Sequence, residues 1–197
     1  FLPDSQFLKK TIPVFEDKKV GVVQTHWEHL NRNFSVLTKL QAFALDAHFS
    51  IEGKTLRQSV TIHNMGDSDM PFSFGFHPAF AWPLPTGGAR ADHVICFELD
   101  EPASLARVTP YGTIAPDPVP SPVNANTIPL HDALFNDDAL VWRELNSHRL
   151  FYGPPGFPSL DIEFPDTPML GIWTKPGAAF ICVEPWAGLA DPEGYVG

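Results

Sequence analysis

Basic side chains are scarce in this 197-residue chain: 13 lysines and arginines stand against 23 aspartates and glutamates, a net charge of −10. With no basic run to offset phosphate repulsion, neither nucleic acid nor an anionic membrane surface is expected as a partner. Cysteine is almost missing. Cys96 and Cys182 are isolated, far apart and each set in an apolar run. That usage reads as two buried free thiols of a cytoplasmic protein rather than a disulfide framework. Long apolar runs are absent too, and Lys9, Lys10, Glu16, Asp17, Lys18 and Lys19 leave the start of the chain without a signal-peptide core. There is no G-x-G-x-x-G, no phosphate-binding G-x-x-x-x-G-K-S/T, and no nucleophile-elbow context around Ser73 or Ser121. His63, His77, His93 and His131 are scattered and form no H-x-H, H-E-x-x-H or Cys/His cluster, so no metal is expected.

What the chain has in quantity is phenylalanine (16), proline (21) and glycine (14). Hydrophobic residues at 44% make it globular, and the prolines and glycines cut it into short segments. The expectation is an all-β fold, a sandwich with at most one or two short helices, in a single domain spanning residues 1–197. Short strands are expected at 12–15, 19–24 and 34–40, the least patterned part. Residues 43–51 and 55–63 read as a hairpin about Glu52-Gly53-Lys54, with Leu56, Gln58, Val60 and Ile62 on one face. Further strands are expected at 94–99, 149–152, 160–164, 169–173 and 179–184. Residues 115–126, with Pro116, Pro118, Pro120 and Pro122, form an extended crossover with little ladder pairing. Residues 130–145 hold one short helix, capped by Asp137 or Asp138.

The most informative stretch runs from Met70 to Pro83. Taken as one strand, it sends Phe72, Phe74 and Phe76 to an anchoring apolar face and Ser73, Gly75 and His77 to the other. That second face is nearly bare, leaving room for a flat ligand over the backbone, with one imidazole at its mouth. Pro78 holds His77 extended. On 179–184, alternation sets Phe180, Cys182 and Glu184 opposite Ala179, Ile181 and Val183. Glu184 is thus a carboxylate ending an apolar strand, where aromatic burial raises its pKa toward the range of a general base. The plainer readings are a hydrogen-bonded structural histidine and a strand-end acid in water. Trp82, Trp173 and Trp186 are candidates to stack on the C–H face of a sugar, or else packing residues.

Three stretches, Phe72-Ser-Phe-Gly-Phe-His-Pro-Ala-Phe, Leu170-Gly-Ile-Trp-Thr-Lys-Pro-Gly-Ala and Phe180-Ile-Cys-Val-Glu-Pro-Trp-Ala-Gly-Leu-Ala-Asp, together resemble the aldose 1-epimerase (galactose mutarotase) family. The match is to its bacterial branch of uncertain sugar preference and extends from about Leu45 to Gly197. The resemblance implies a β-supersandwich, no cofactor, and interconversion of the α and β anomers of a free sugar. It implies His77 as the general acid at the ring oxygen and Glu184 as the general base at the anomeric hydroxyl. Asp138 (or its neighbour Asp137), Trp173 and Trp186 become the substrate-binding candidates. It further implies a chain that begins and ends inside the family's length, without the N-terminal strands and basic residues that touch the sugar. Two other readings stand beside it. A hexose-6-phosphate 1-epimerase uses the same chemistry with an arginine cluster, although Arg32, Arg57, Arg90, Arg107, Arg143 and Arg149 are dispersed. A carbohydrate-binding β-sandwich without catalysis keeps the aromatic floor alone.

Overall fold

A glycine at the tip sets the geometry of the first strand pair. The structure, a computed structural model, describes residues 44–195, so the strands expected at 12–15, 19–24 and 34–40 lie outside the described residues. Contacts divide the chain into two compact units, Phe1–Pro71 and Phe72–Gly197. In the first, β1 (Ala44–Glu52) and β2 (Thr55–His63) pair antiparallel from Ala44↔His63 to Glu52↔Thr55, leaving Gly53 and Lys54 as the loop. Gly53 has φ of 59°, the positive value that the first loop position of a type II′ turn requires and glycine adopts freely. On the face expected to be sheltered, Val60 and Ile62 are half-buried, while Leu56 is exposed.

The second unit is built from nine short antiparallel strands. They are β3 (Phe74–Gly75), β4 (Ala79–Ala81), β5 (Val94–Phe97), β6 (Thr127–Pro129), β7 (Leu140–Trp142), β8 (Arg149–Gly153), β9 (Leu160–Glu163), β10 (Met169–Trp173) and β11 (Phe180–Ala187). One sheet runs β3-β11-β10-β7, with β4 also paired to β11; the other runs β6-β5-β8-β9. Alternation gives each sheet one apolar face. Leu170, Ile172, Ile181 and Val183 from the first sheet share a core with Ile95, Phe97, Leu150 and Tyr152 from the second. Phe97 meets Trp142 edge-on at 5.7 Å between centroids. Each such side chain contributes about 1.5–3 kcal/mol by leaving water. The all-β sandwich expected from the sequence is what forms.

Several local expectations are corrected. The stretch from Met70 to Pro83 is not one strand but two short ones, β3 and β4. Phe72 is 58% exposed rather than an anchor; Phe80 and Trp82, of the same parity, do the anchoring. Trp82 is no sugar platform: it is buried in the core, with the Arg90 guanidinium 3.5 Å over its ring. Arg90 also donates to the carbonyls of Trp82 and Ala178 and to the Asp132 carboxylate, so it ties three loops together. The one helical turn expected near 130–145 is a 3-10 turn at Asp132–Phe135. It precedes Asp137 and Asp138, so neither caps it, and residues 140–142 are strand instead. A second 3-10 turn, Arg90–Asp92, was not foreseen. Cys96 is half-buried and Cys182 buried, both as free thiols. The crossover at 115–126 is extended and makes only isolated bridges, as its prolines require.

His93, one of the scattered histidines, is wholly buried. Its Nε2 accepts the Leu84 N–H at 2.9 Å, which places its proton on Nδ1, 2.9 Å from the Ala89 carbonyl. It is a structural residue, satisfied on both nitrogens.

Candidate active site

Strand register, rather than a loop, brings the two titratable candidates together. β3 pairs with β11 through Trp186↔Gly75, and β4 pairs with β11 through Cys182↔Ala79. Both ladders hold one register, so the intervening His77 stands directly opposite Glu184. The ladder lapses between them because of two prolines, one on each side. Phe76 N–H reaches the Pro185 carbonyl at 2.9 Å and Val183 N–H reaches the Pro78 carbonyl at 3.2 Å. The return bond of each pair is missing, since neither Pro185 nor Pro78 has an N–H to give. His77 and Glu184 therefore occupy the non-hydrogen-bonded position, where backbones lie closest and facing side chains touch. His77 Nδ1 lies 3.2 Å from Glu184 Oε1.

The partners differ in exposure. The His77 side chain is 64% exposed and that of Glu184 8%. Burial pushes the Glu184 carboxyl above its ordinary pKa, and the neighbouring imidazole pulls it back only in part. Across the other edge of β11, Glu184 pairs with Gly171 of β10. Cys182, two residues back on the same face, is also buried, and desolvation followed by the Glu184 charge raises its thiol pKa.

The bare strip over Gly75 is filled by the chain itself. A Cβ on Gly75 would strike the Trp186 ring, and one on Gly171 would lie 2.5 Å from Trp186 Cη2. The flat group lying on these two glycines is thus an indole, spanning three adjacent strands. The expected open floor for a ligand is corrected to an aromatic plate with a ligand space above it.

That space is a cavity of about 640 Å³, within the usual size of small-molecule sites. His77, Glu184, Trp173, Trp186 and Asp138 all line it, so these five of the candidates read from the sequence reach one place, while Trp82 and Asp137 do not. Asp137 lines only a neighbouring cavity of about 360 Å³, which Asp138 also borders, so Asp138 is the one of the two aspartates that reaches the larger cavity. Asp138 adopts φ of 82°, a left-handed conformation that aspartate tolerates better than most residues, and its Oδ1 accepts the Ala139 N–H at 2.7 Å. Trp173 leans on Phe180 with ring centroids 5.9 Å apart.

The remaining wall was not read from the sequence. Ala106, Ile114 and Val141 form a small apolar cluster with Val108, Ala139, Trp186 and Leu189 around them. Its strands meet as isolated bridges, Ala106↔Val141 and Val108↔Ile114, too short to show a period. Cys182 was placed on the Glu184 face by alternation, but its part in a cluster with His77 was missed. The donor atoms of His77, Cys182 and Glu184 all lie within 4.8 Å of one another.

No family model matches the chain. Over 156 residues the chain is 30% identical to the chromosomal protein LacX of Lactococcus lactis subsp. lactis, covering 77% of this chain and 52% of that protein. It thus spans about half the length of the curated relatives it matches. A galactose mutarotase-like protein from Lactobacillus casei ATCC 334 superposes with a TM-score of 0.69 at 27% identity, over 78% of this chain and 54% of that one. A 53-residue stretch is 45% identical to the probable glucomannan 4-beta-mannosyltransferase 4 of Oryza sativa subsp. japonica, covering 26% of this chain and 10% of that protein.

Proposed function

We propose, for a chain that belongs to the aldose 1-epimerase-like family of galactose mutarotase-like proteins, that its second unit interconverts the α and β anomers of a free hexose. The observation that carries this reading is the His77–Glu184 pair, 3.2 Å apart and both lining the cavity that holds Asp138, Trp173 and Trp186. The chemistry needs one base and one acid around a single hemiacetal. Glu184 takes the proton of the C1 hydroxyl, the C1–O5 bond breaks as the C1 carbonyl forms, and His77 gives a proton to O5. Rotation about C1–C2 and the reverse proton transfers close the ring to either anomer. The site returns to its starting protonation state with no net electron transfer.

Raising the Glu184 pKa by burial makes it a stronger base than a solvated carboxylate. Because the pair is in contact, a pyranose enters only if His77 swings aside, and its exposed side chain is free of packing that would prevent this. Trp173 and Trp186 offer ring faces for the sugar's C–H surface and Asp138 a carboxylate for its hydroxyls. Among the described residues, the titratable side chains lining the cavity are His77, Asp138 and Glu184. With two carboxylates and neither lysine nor arginine, this set suits an uncharged sugar better than a hexose phosphate.

The same contact favours one rival, sugar binding without turnover, since the acid and base leave no gap between them at rest. Polarimetry on freshly dissolved α-glucose and α-galactose separates the two. A rate above the buffer rate that falls with Glu184→Gln and with His77→Asn supports catalysis. Sugar-dependent tryptophan fluorescence with no rate above buffer selects binding alone. Faster turnover of hexose 6-phosphate than of the free sugar points to the phosphate-specific reading.

A further inference from the structure

Nothing in the anomerisation chemistry uses a thiol, yet Cys182 sits buried beside both proton-transfer groups. We infer that His77, Cys182 and Glu184 form a binding site for Zn²⁺ or an ion of the same borderline-soft class, whose occupation blocks the acid–base pair. The blocking half rests on the mutarotase reading; the binding half does not.

The donor set is one imidazole nitrogen, one sulfur and one carboxylate oxygen, all within 4.8 Å of one another. Zinc takes these three ligand types at about 2.0–2.3 Å. Tetrahedral geometry at such bond lengths asks for donors roughly 3.3–3.8 Å apart. The His77–Glu184 separation, 3.2 Å, already meets that need, and the sulfur has to close by about an ångström against the widest donor spacing.

Rigidity and movement are divided in the way a site of this kind needs. Cys182 and Glu184 are 3% and 6% exposed and share one face of β11, so they are fixed relative to each other. His77 is exposed and supplies the adjustment. Three protein ligands leave a fourth position for water, and two of the three, His77 and Glu184, line the cavity. The set excludes the harder ions on chemical grounds. Magnesium and calcium want six or more oxygens, and here sulfur and nitrogen hold two positions of three. Occupation removes the Glu184 carboxylate and the His77 imidazole from proton transfer together.

The binding arm uses calorimetry with chelator-buffered Zn²⁺, and Co²⁺ as an optical probe of sulfur ligation. One ion per chain is expected, with a cobalt–thiolate charge-transfer band. Cys182→Ser abolishes the band, and Cys182→Ser and His77→Asn each weaken Zn²⁺ binding at least tenfold. Circular dichroism checks the buried Cys182 variant; should it misfold, His77→Asn, on an exposed side chain, decides alone. Wild-type binding matched by the folded variants, equal binding of Mg²⁺, or no binding by the wild type overturns the site. In the activity arm, Zn²⁺ slows anomerisation and a chelator restores it. Zinc bound without loss of rate overturns the blocking half, and a chain with no anomerase activity refutes the proposed function while the binding arm still stands or falls by itself.

Discussion

Asp161 and Glu184 are acids on strands of the two facing sheets, and their environments set them apart. Asp161 on β9 is held by Arg149 of β8 through two hydrogen bonds, from Nε at 2.8 Å and from a terminal nitrogen at 2.5 Å. That bond holds its carboxyl below the ordinary range. Glu184 on β11 has no guanidinium, only an exposed imidazole, and burial drives it the other way. The difference lies in what surrounds the outward face. The β8–β9 pair presents its charges to water, whereas the outward face of β11 borders a cavity that Val108, Ile114 and Leu189 also line. Alternation makes a carboxylate face outward; burial on that face raises its pKa.

Matched substitutions put that contrast at risk. The largest effect is expected in turnover: Glu184→Gln lowers the catalysed polarimetric rate by about 10²–10⁴-fold, the usual worth of a general base, while Asp161→Asn leaves it unchanged. Equal losses would erase the distinction. Next is the aromatic plate. Gly171→Ala sets a methyl against the Trp186 ring, so urea unfolding is expected to show a loss of about 1–3 kcal/mol, together with a weaker sugar response in tryptophan fluorescence.

A smaller effect with a definite sign concerns pH. The Glu184 pKa is raised in the folded chain above 4.5, so the folded state binds the proton more tightly and stability falls as pH rises through the raised value. Glu184→Gln is therefore expected to raise the melting temperature well above pH 4.5, where ionising this carboxyl costs the folded chain more than the unfolded one. The gain should vanish below pH 4.5, where the carboxyl is protonated in both states. Asp161→Asn should show the opposite trend. Smallest of all is Arg149→Ala: its ion pair is solvent-exposed, so its effect on urea unfolding is expected near the limit of detection.

The sequence was most readable where period and punctuation agreed. Glu52-Gly53-Lys54 between two alternating runs marked a turn that the structure reproduces, because turn chemistry is local. Parity on β11 correctly separated Cys182 and Glu184 from Ile181 and Val183, which the structure puts in the core. In the 70–83 stretch parity put His77 and Gly75 on the cavity side, but Phe72 does not anchor and the strand is not continuous, because the missing bonds at Pro78 and Pro185 matter only once the two segments are paired. β6 and β7, three residues each, are too short to carry a period. That Trp186 would lie across Gly75 and Gly171 depended on cross-strand register, which no single segment contains. The choice of Asp138 over Asp137 needed a backbone angle that composition does not specify.

The two prolines flanking the His77–Glu184 position have a dynamic consequence. An ordinary strand of that length would have to surrender both bonds of each neighbouring pair to part from its partner; here only Phe76 N–H and Val183 N–H are engaged, one on each side. The pairing is thus thinned on both sides of His77, the residue that the proposed function asks to swing aside, while the ladders beyond it return the imidazole to the same seat. Hydrogen exchange at those two amides, faster than at their neighbours within β4 and β11, would be the visible trace of such breathing.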